Sequence, residues 1–312
     1  MESLTAKEIK GNWASLFLDI QDDDEINYAA LEKLIDCYID CGVDGIYSNG
    51  TACEFYSQSF DEYTTINTIL AEKCEKCGMP FQIGASYMSA KETLKRVIYA
   101  VKLKPSAIQV ILPDWFPASR QTQIEFLKKI VEAAEGIGIV LYNPPHAKVV
   151  LTPQDYIELF DNVEGIVGIK TAAGDEDWYR EMRPLLGRIS VFVPGHFLAT
   201  GIAHGAMGSY SNVAALNPRA AQKWYDMMQT DMDKAFELEA RIQLFMKRHI
   251  EPYITQKNHP NHACDKFMVA VGGWFEISTR LRWPYIGIDE KEIQRVRQAG
   301  IELIPEFFTH KA

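Results

Sequence analysis

The sequence predicts a (β/α)8 barrel of the α/β class, a TIM barrel, followed by a C-terminal helical appendage. Three observations predict it. Short runs rich in Val, Ile, Phe and Gly alternate with longer amphipathic stretches. Eight such pairs follow one another at a spacing of roughly 25–35 residues. Several of the short runs are apolar almost throughout, as strands covered on both faces are. The chain has 312 residues, 47% of them hydrophobic, which suits one large domain or one domain with an appendage.

The strand-like runs are NWASLFLD (12–19), GIYSNG (45–50), PFQIGAS (80–86), AIQVILP (107–113), GIVLYNPP (138–145), GIVGIKTA (165–172), ISVFVPG (189–195) and GAMGSYS (205–211). Between them lie helical patterns. The first puts Leu31, Leu34, Ile35 and Tyr38 on one stripe and ends at Gly42, a residue suited to a helix C-terminus. A second runs from Ser59 to Gly78, and Thr152-Pro153 reads as an N-cap followed by a first-turn proline. No Gly-x-Gly-x-x-Gly follows the first strand, which argues against a dinucleotide site. Beyond the eighth run the pattern is helical. Residues 1–230 are therefore assigned to the barrel and 231–312 to a C-terminal helical region.

The net charge of −10 argues against nucleic acid and anionic membrane as partners. No apolar run reaches the ~20 residues of a membrane span, and the N-terminal ESLTAKEIKGNW lacks the apolar core of a secretory signal. Four of the six cysteines, Cys37/Cys41 and Cys74/Cys77, fit single helix faces as free thiols. The single Cys-x-x-Cys has no second pair or nearby His to complete a zinc site. A reducing cytoplasm is the expected compartment.

In this architecture strand C-termini and the loops after them form the active site. Lys170 closes the apolar run GIVGI. Such a lysine is either a desolvated amine, neutral enough for imine chemistry, or a side chain that snorkels to solvent. Tyr142 ends the preceding strand, where its phenol could shuttle a proton or simply sit satisfied in the core. SNGTACE (48–54) is a glycine-bearing turn entering a helix; such a turn exposes backbone N–H groups suited to a carboxylate or phosphate, with Thr51 adding a hydroxyl. Glu54 is expected to tie this turn together. Tyr210, at the end of the eighth strand, is a further candidate contact.

Taken in order and spacing, GTACE (50–54), SFDEY (59–63), YNPP (142–145), GIVGIKTAAGD (165–175) and GAMGSYS (205–211) resemble the dihydrodipicolinate synthase / N-acetylneuraminate lyase family over essentially the whole chain. The resemblance implies a pyruvate-type 2-oxo acid held as an imine on Lys170, its carboxylate on the Gly50–Thr51–Ala52 turn, and Tyr142 moving protons. It implies no metal or organic cofactor, and a homotetramer built as a dimer of dimers. The chain departs from the family in three places. Ala52 stands where a second hydroxyl is usual. Trp115 stands where synthases present a tyrosine to a neighbouring subunit, and indole cannot relay a proton in that way. HAKVV follows the YN motif where synthases carry an arginine; Lys148 there offers a point charge but no bidentate fork.

The leading expectation is therefore an aldolase or dehydratase acting on a 2-oxo acid. Asp114, Trp115, Arg120, His146, Lys148 and His196 are candidates for reading the distal end. A dihydrodipicolinate synthase with an altered relay and a catalytically silent keto-acid binder are the alternatives. A zinc-dependent aldolase would need clustered ligands. His146 and His196 are available to it, whereas His204 reads as structural and HPNH (259–262) as a solvated loop outside the barrel mouth.

Overall fold

The computed structural model describes residues 1–308, so the last four residues of the expected C-terminal region, 309–312, lie outside the described residues. Eight parallel strands close into a barrel in sequence order: β1 (Gly11–Ser15), β2 (Gly45–Tyr47), β3 (Phe81–Gly84), β4 (Ala107–Ile111), β5 (Ile139–Tyr142), β6 (Ile166–Lys170), β7 (Ser190–Phe192) and β8 (Gly208–Tyr210). The connecting helices are α1 (Tyr28–Cys41), α2 (Phe60–Cys77), α3 (Ala90–Lys102), α4 (Arg120–Ala133), α5 (Pro153–Asn162), α6 (Glu176–Met182) and α7 (Leu198–Ala203). After β8 come a short α8 (Val213–Leu216) and the eighth barrel helix, α9 (Pro218–Met228).

All eight expected strands are present, and each ends before its apolar run does. The residues beyond the strand ends, such as Leu16, Phe17, Leu18, Ala85, Leu112 and Val193, are buried. They line βα loops packed beneath other elements, so their apolarity reports burial rather than strand pairing. The helix ends follow local chemistry. Ser59 and Glu62 form a capping box on α2, and Thr152 and Asp155 do so on α5 with Pro153 in the first turn. α1 ends on Gly42 in the left-handed region.

The barrel bore is filled. Ile9, Trp13, Tyr47, Ala107, Val140, Phe192 and Tyr210 form a cluster separate from the outer core. Trp13 meets Phe192 and Tyr210 edge-on at 6.4 and 6.0 Å between ring centres. This mass reaches Gly208, where an added methyl would stand 2.2 Å from the Gly11 carbonyl oxygen and 2.9 Å from Phe192.

The C-terminal region contributes α10 (Met232–Phe245), α11 (Glu251–Thr255), α12 (Asn261–Gly272) and α13 (Ile293–Leu303). Their apolar residues, among them Ile242, Phe245, Phe267, Met268 and Val296, belong to the same continuous core as the barrel helices. α12 packs on α8 and on the turn after β2, which brings it over the barrel mouth. Among the described residues no helix is long and apolar enough to cross a membrane.

Candidate active site

The C-terminal ends of β2, β5, β6 and β8 meet at the mouth around Lys170. Tyr142 and Lys170 are register partners on adjacent strands. The Lys170 amine donates a hydrogen bond to the Tyr47 hydroxyl at 3.3 Å. It lies 4.3 Å from the centre of the Tyr142 ring, 4.8 Å from that of Tyr47 and 5.4 Å from that of Tyr210. The half-buried amine thus rests on an aromatic floor and faces the cavity. Burial holds its pKa down to about 8, against the opposing pull of Asp265. At pH 7 about one such amine in ten is neutral.

Burial pushes the Tyr142 phenol up to about 12, opposed by the Thr51 contact. The Thr51 hydroxyl approaches the phenol oxygen at 3.5 Å. Gly50 is required here by space: a Cβ at this position would stand 2.8 Å from the Tyr47 ring and 3.9 Å from the Lys170 amine. Thr51–Cys53 forms a single 3₁₀ turn, whose first N–H groups, on Thr51 and Ala52, have no partner within the turn. Thr51, Ala52 and Lys170 border one cavity; Gly50, expected among the substrate contacts, is not in its lining and serves instead to leave room for Tyr47 and the Lys170 amine.

The turn is fixed from below. Glu54, at φ 54°, is fully buried. Its carboxylate takes a 2.7 Å bond from the Lys266 amine on α12 and a 2.8 Å bond from the Arg282 backbone N–H. Lys266 also donates to the Arg280 carbonyl at 2.6 Å. The expected tying role of Glu54 is thus met by a cation 212 residues away, in the C-terminal region.

The cavity holding Lys170, about 280 Å³, is bordered by Tyr47, Thr51, Ala52, Tyr142, His196, Tyr210, Asn261 and Asp265 among others. Tyr47, Asn261 and Asp265 are not among the residues singled out from the sequence. Tyr47 ends β2 and was reachable by the strand-end rule. Asp265 and Lys266 interrupt an otherwise apolar helix, NHACDKFMVAV, and two adjacent charges in a buried stretch are the available signal.

A larger chamber of about 900 Å³ shares Thr51, Tyr142, Pro145 and Asn261 with this cavity and leads outward. It is lined by Phe55, Tyr56, Ile111, Leu112, His146 and Tyr285 among mostly apolar neighbours. His262 is also in its wall. It is buried and bonded to the Tyr56 hydroxyl at 2.6 Å, and burial holds its pKa down to about 4. The reading of HPNH as a solvated loop outside the mouth is corrected: α12 begins inside this segment and carries Asn261 and His262 into the site. Chain distance hides this, because a helix after the eighth strand has no barrel position to be assigned from.

Of the remaining distal candidates, Asp114 borders the outer chamber with His146, and the others are dispersed. Trp115 is 67% exposed and does not border the Lys170 cavity. The Lys148 amine lies over its ring at 5.1 Å and bonds to its carbonyl oxygen. Asp114 accepts the Lys148 N–H at 2.8 Å. Arg120 is engaged by Asp155 and Glu158. His196 borders the cavity and contacts Asn212. His204 stacks on Tyr179 and pairs with Glu176. The histidines named as possible metal ligands do not converge.

The model of the dihydrodipicolinate synthetase family matches residues 9–300. A 4-hydroxy-tetrahydrodipicolinate synthase from Neisseria meningitidis is 26% identical over 300 residues, covering 93% of this chain and 97% of its own. An N-acetylneuraminate lyase from Enterobacter sp. is 24% identical over 256 residues, 77% of this chain and 84% of its own. Among solved structures, an Escherichia coli K12 prophage protein of the dihydrodipicolinic acid synthase family, in complex with pyruvate, matches with a TM-score of 0.83 at 20% identity, covering 95% of this chain and 98% of its own. The Ruminococcus gnavus sialic acid aldolase matches with a TM-score of 0.81 at 19% identity, covering 96% and 99%. At such identities the structural likeness speaks for the fold.

Proposed function

The chain belongs to the dihydrodipicolinate synthetase family, and from that premise we propose that it is a class I lyase, an aldolase or dehydratase, that holds pyruvate or a longer 2-oxo acid as an imine on Lys170. The observation that carries this reading is the Lys170 amine: half-buried among aromatic rings, with its pKa lowered to about 8, and beside the Tyr142 ring. A neutral amine attacks the C2 carbonyl, water leaves, and the imine nitrogen then accepts electrons from the adjacent carbon. The N–H groups at Thr51 and Ala52 would receive the substrate carboxylate, and Tyr142 would carry protons at the carbinolamine oxygen.

A lyase is favoured over a synthase of the lysine pathway by the distal side. A second substrate with its own carboxylate needs a cation there. Apart from Lys170, no lysine or arginine among the described residues borders the cavity, and Lys148 is engaged on the exposed rim. The same reading carries a homotetramer, and the exposed Trp115 and Phe116 on the rim support an assembly contact there.

Incubation with pyruvate and borohydride is expected to add a reduced adduct at Lys170, seen by peptide mass spectrometry, and a Lys170→Ala protein should give none. Trapping by the free enzyme should rise with pH through about 8, as the amine loses its proton. An unmodified wild-type lysine after trapping would end this reading.

A further inference from the structure

Asp265 is an ionisable group in the Lys170 cavity that the chemistry above leaves unused. Its helix neighbour Lys266 is consumed by Glu54. Asp265 itself borders both the Lys170 cavity and an adjoining chamber of about 370 Å³ that includes Met246, Ile250 and Met268. It therefore stands where the two spaces join. Among the described residues no hydrogen bond or ion pair engages its carboxyl. Burial pushes the carboxyl up to about 6, although Lys170 pulls the other way. A carboxyl kept inside a cavity without a partner is costly, and such groups concentrate at sites of proton transfer.

Other uses fit less well. A counter-ion for Lys170 would hold the amine charged, yet that amine's pKa is lowered and the two groups form no ion pair. A structural role would need a partner. The other titratable groups facing the cavity are Tyr47, Tyr142, Lys170, His196 and Tyr210. Tyr47 is bonded to Lys170, Tyr210 donates to Gln82 at 2.6 Å, and His196 contacts Asn212. Tyr142 lies on the Thr51 side, where the substrate carboxylate is expected. With C2 on Lys170 and the carboxylate on the turn, C3 and C4 must extend toward the part of the cavity that remains, and Asp265 is in its wall.

We propose that Asp265 is a catalytic acid–base residue that exchanges a proton with the oxygen on C4 of the bound substrate. This rests on the imine reading above. In cleavage the C4 hydroxyl gives its proton to the Asp265 carboxylate and its oxygen becomes the aldehyde carbonyl. The C3–C4 bond breaks, and its electron pair moves into the C2–C3 bond as the iminium pair returns to nitrogen. An enamine remains on Lys170. Condensation reverses each step, and the Asp265 carboxylic acid protonates the new C4 alkoxide.

Two assays on the wild type and Asp265→Asn separate the possibilities. Exchange of the pyruvate methyl protons in deuterated water needs the imine and enamine but no C4. Condensation of pyruvate with glycolaldehyde, glyceraldehyde, N-acetylmannosamine or benzaldehyde needs both. Asp265→Asn should keep exchange within about threefold and lose condensation by roughly 10²–10⁴-fold. The condensation profile should also lose a limb near pH 6. The proposal is overturned if the variant loses both activities together, if it keeps condensation within about threefold, or if the wild type exchanges protons but condenses none of the four aldehydes. A wild type that exchanges nothing would instead remove the imine reading itself.

Discussion

Asp265 prefers its neutral form in the folded protein, and this sets a pH signature. Its pKa is about 6 when folded and 3.8 ordinarily. Between those values the native state binds the proton more tightly than the unfolded chain, so stability falls as pH rises through the window and the full cost persists above it. Asp265→Asn should therefore stabilise the protein by on the order of 1–3 kcal/mol near pH 8, with a smaller gain near pH 5. Urea unfolding at both pH values checks this; a variant destabilised equally at both would contradict it. Lys170 and Tyr142 could be singled out from the sequence because each ends an apolar run, and barrel topology assigns a place to strand ends. Asp265 could not, because its place depends on how a helix beyond the last strand crosses the mouth.

At the scale of elements, the turn after β2 and helix α12 act as one piece. Glu54 and Lys266 are both fully buried, and each satisfies the other. Lys266→Met leaves a buried carboxylate whose remaining bond is the Arg282 N–H, and should cost about 3–5 kcal/mol. Pairing it with Glu54→Gln should recover part of that loss, since the stranded charge is gone. Chemical denaturation of the single and double variants measures the difference, and a single variant within ~1 kcal/mol of wild type would show the pair to be dispensable. Strand order and most helix starts were legible from alternation and capping residues. This pairing was not: a glutamate in a turn and a lysine in a distant helix carry no shared periodicity.

At the scale of the whole molecule, the C-terminal helices share the barrel's core instead of forming a separate one. Ala235, Leu238, Ile242, Phe245, Phe267 and Val296 all pack into it. A chain ending at residue 230 would expose that apolar surface and lose Asn261 and Asp265 from the site. It should fail to give a cooperative thermal transition, which circular dichroism can test; a sharp melt would mark the first 230 residues as self-sufficient.

The aromatic plug beneath Lys170 has a kinetic consequence. With Trp13, Phe192 and Tyr210 packed across the bore, passage through the bottom of the barrel is closed and traffic runs by way of the mouth. On the cleavage proposed above, the outer fragment is free to leave through the mouth, whereas the keto acid stays joined to Lys170 until water hydrolyses the imine, so it departs last.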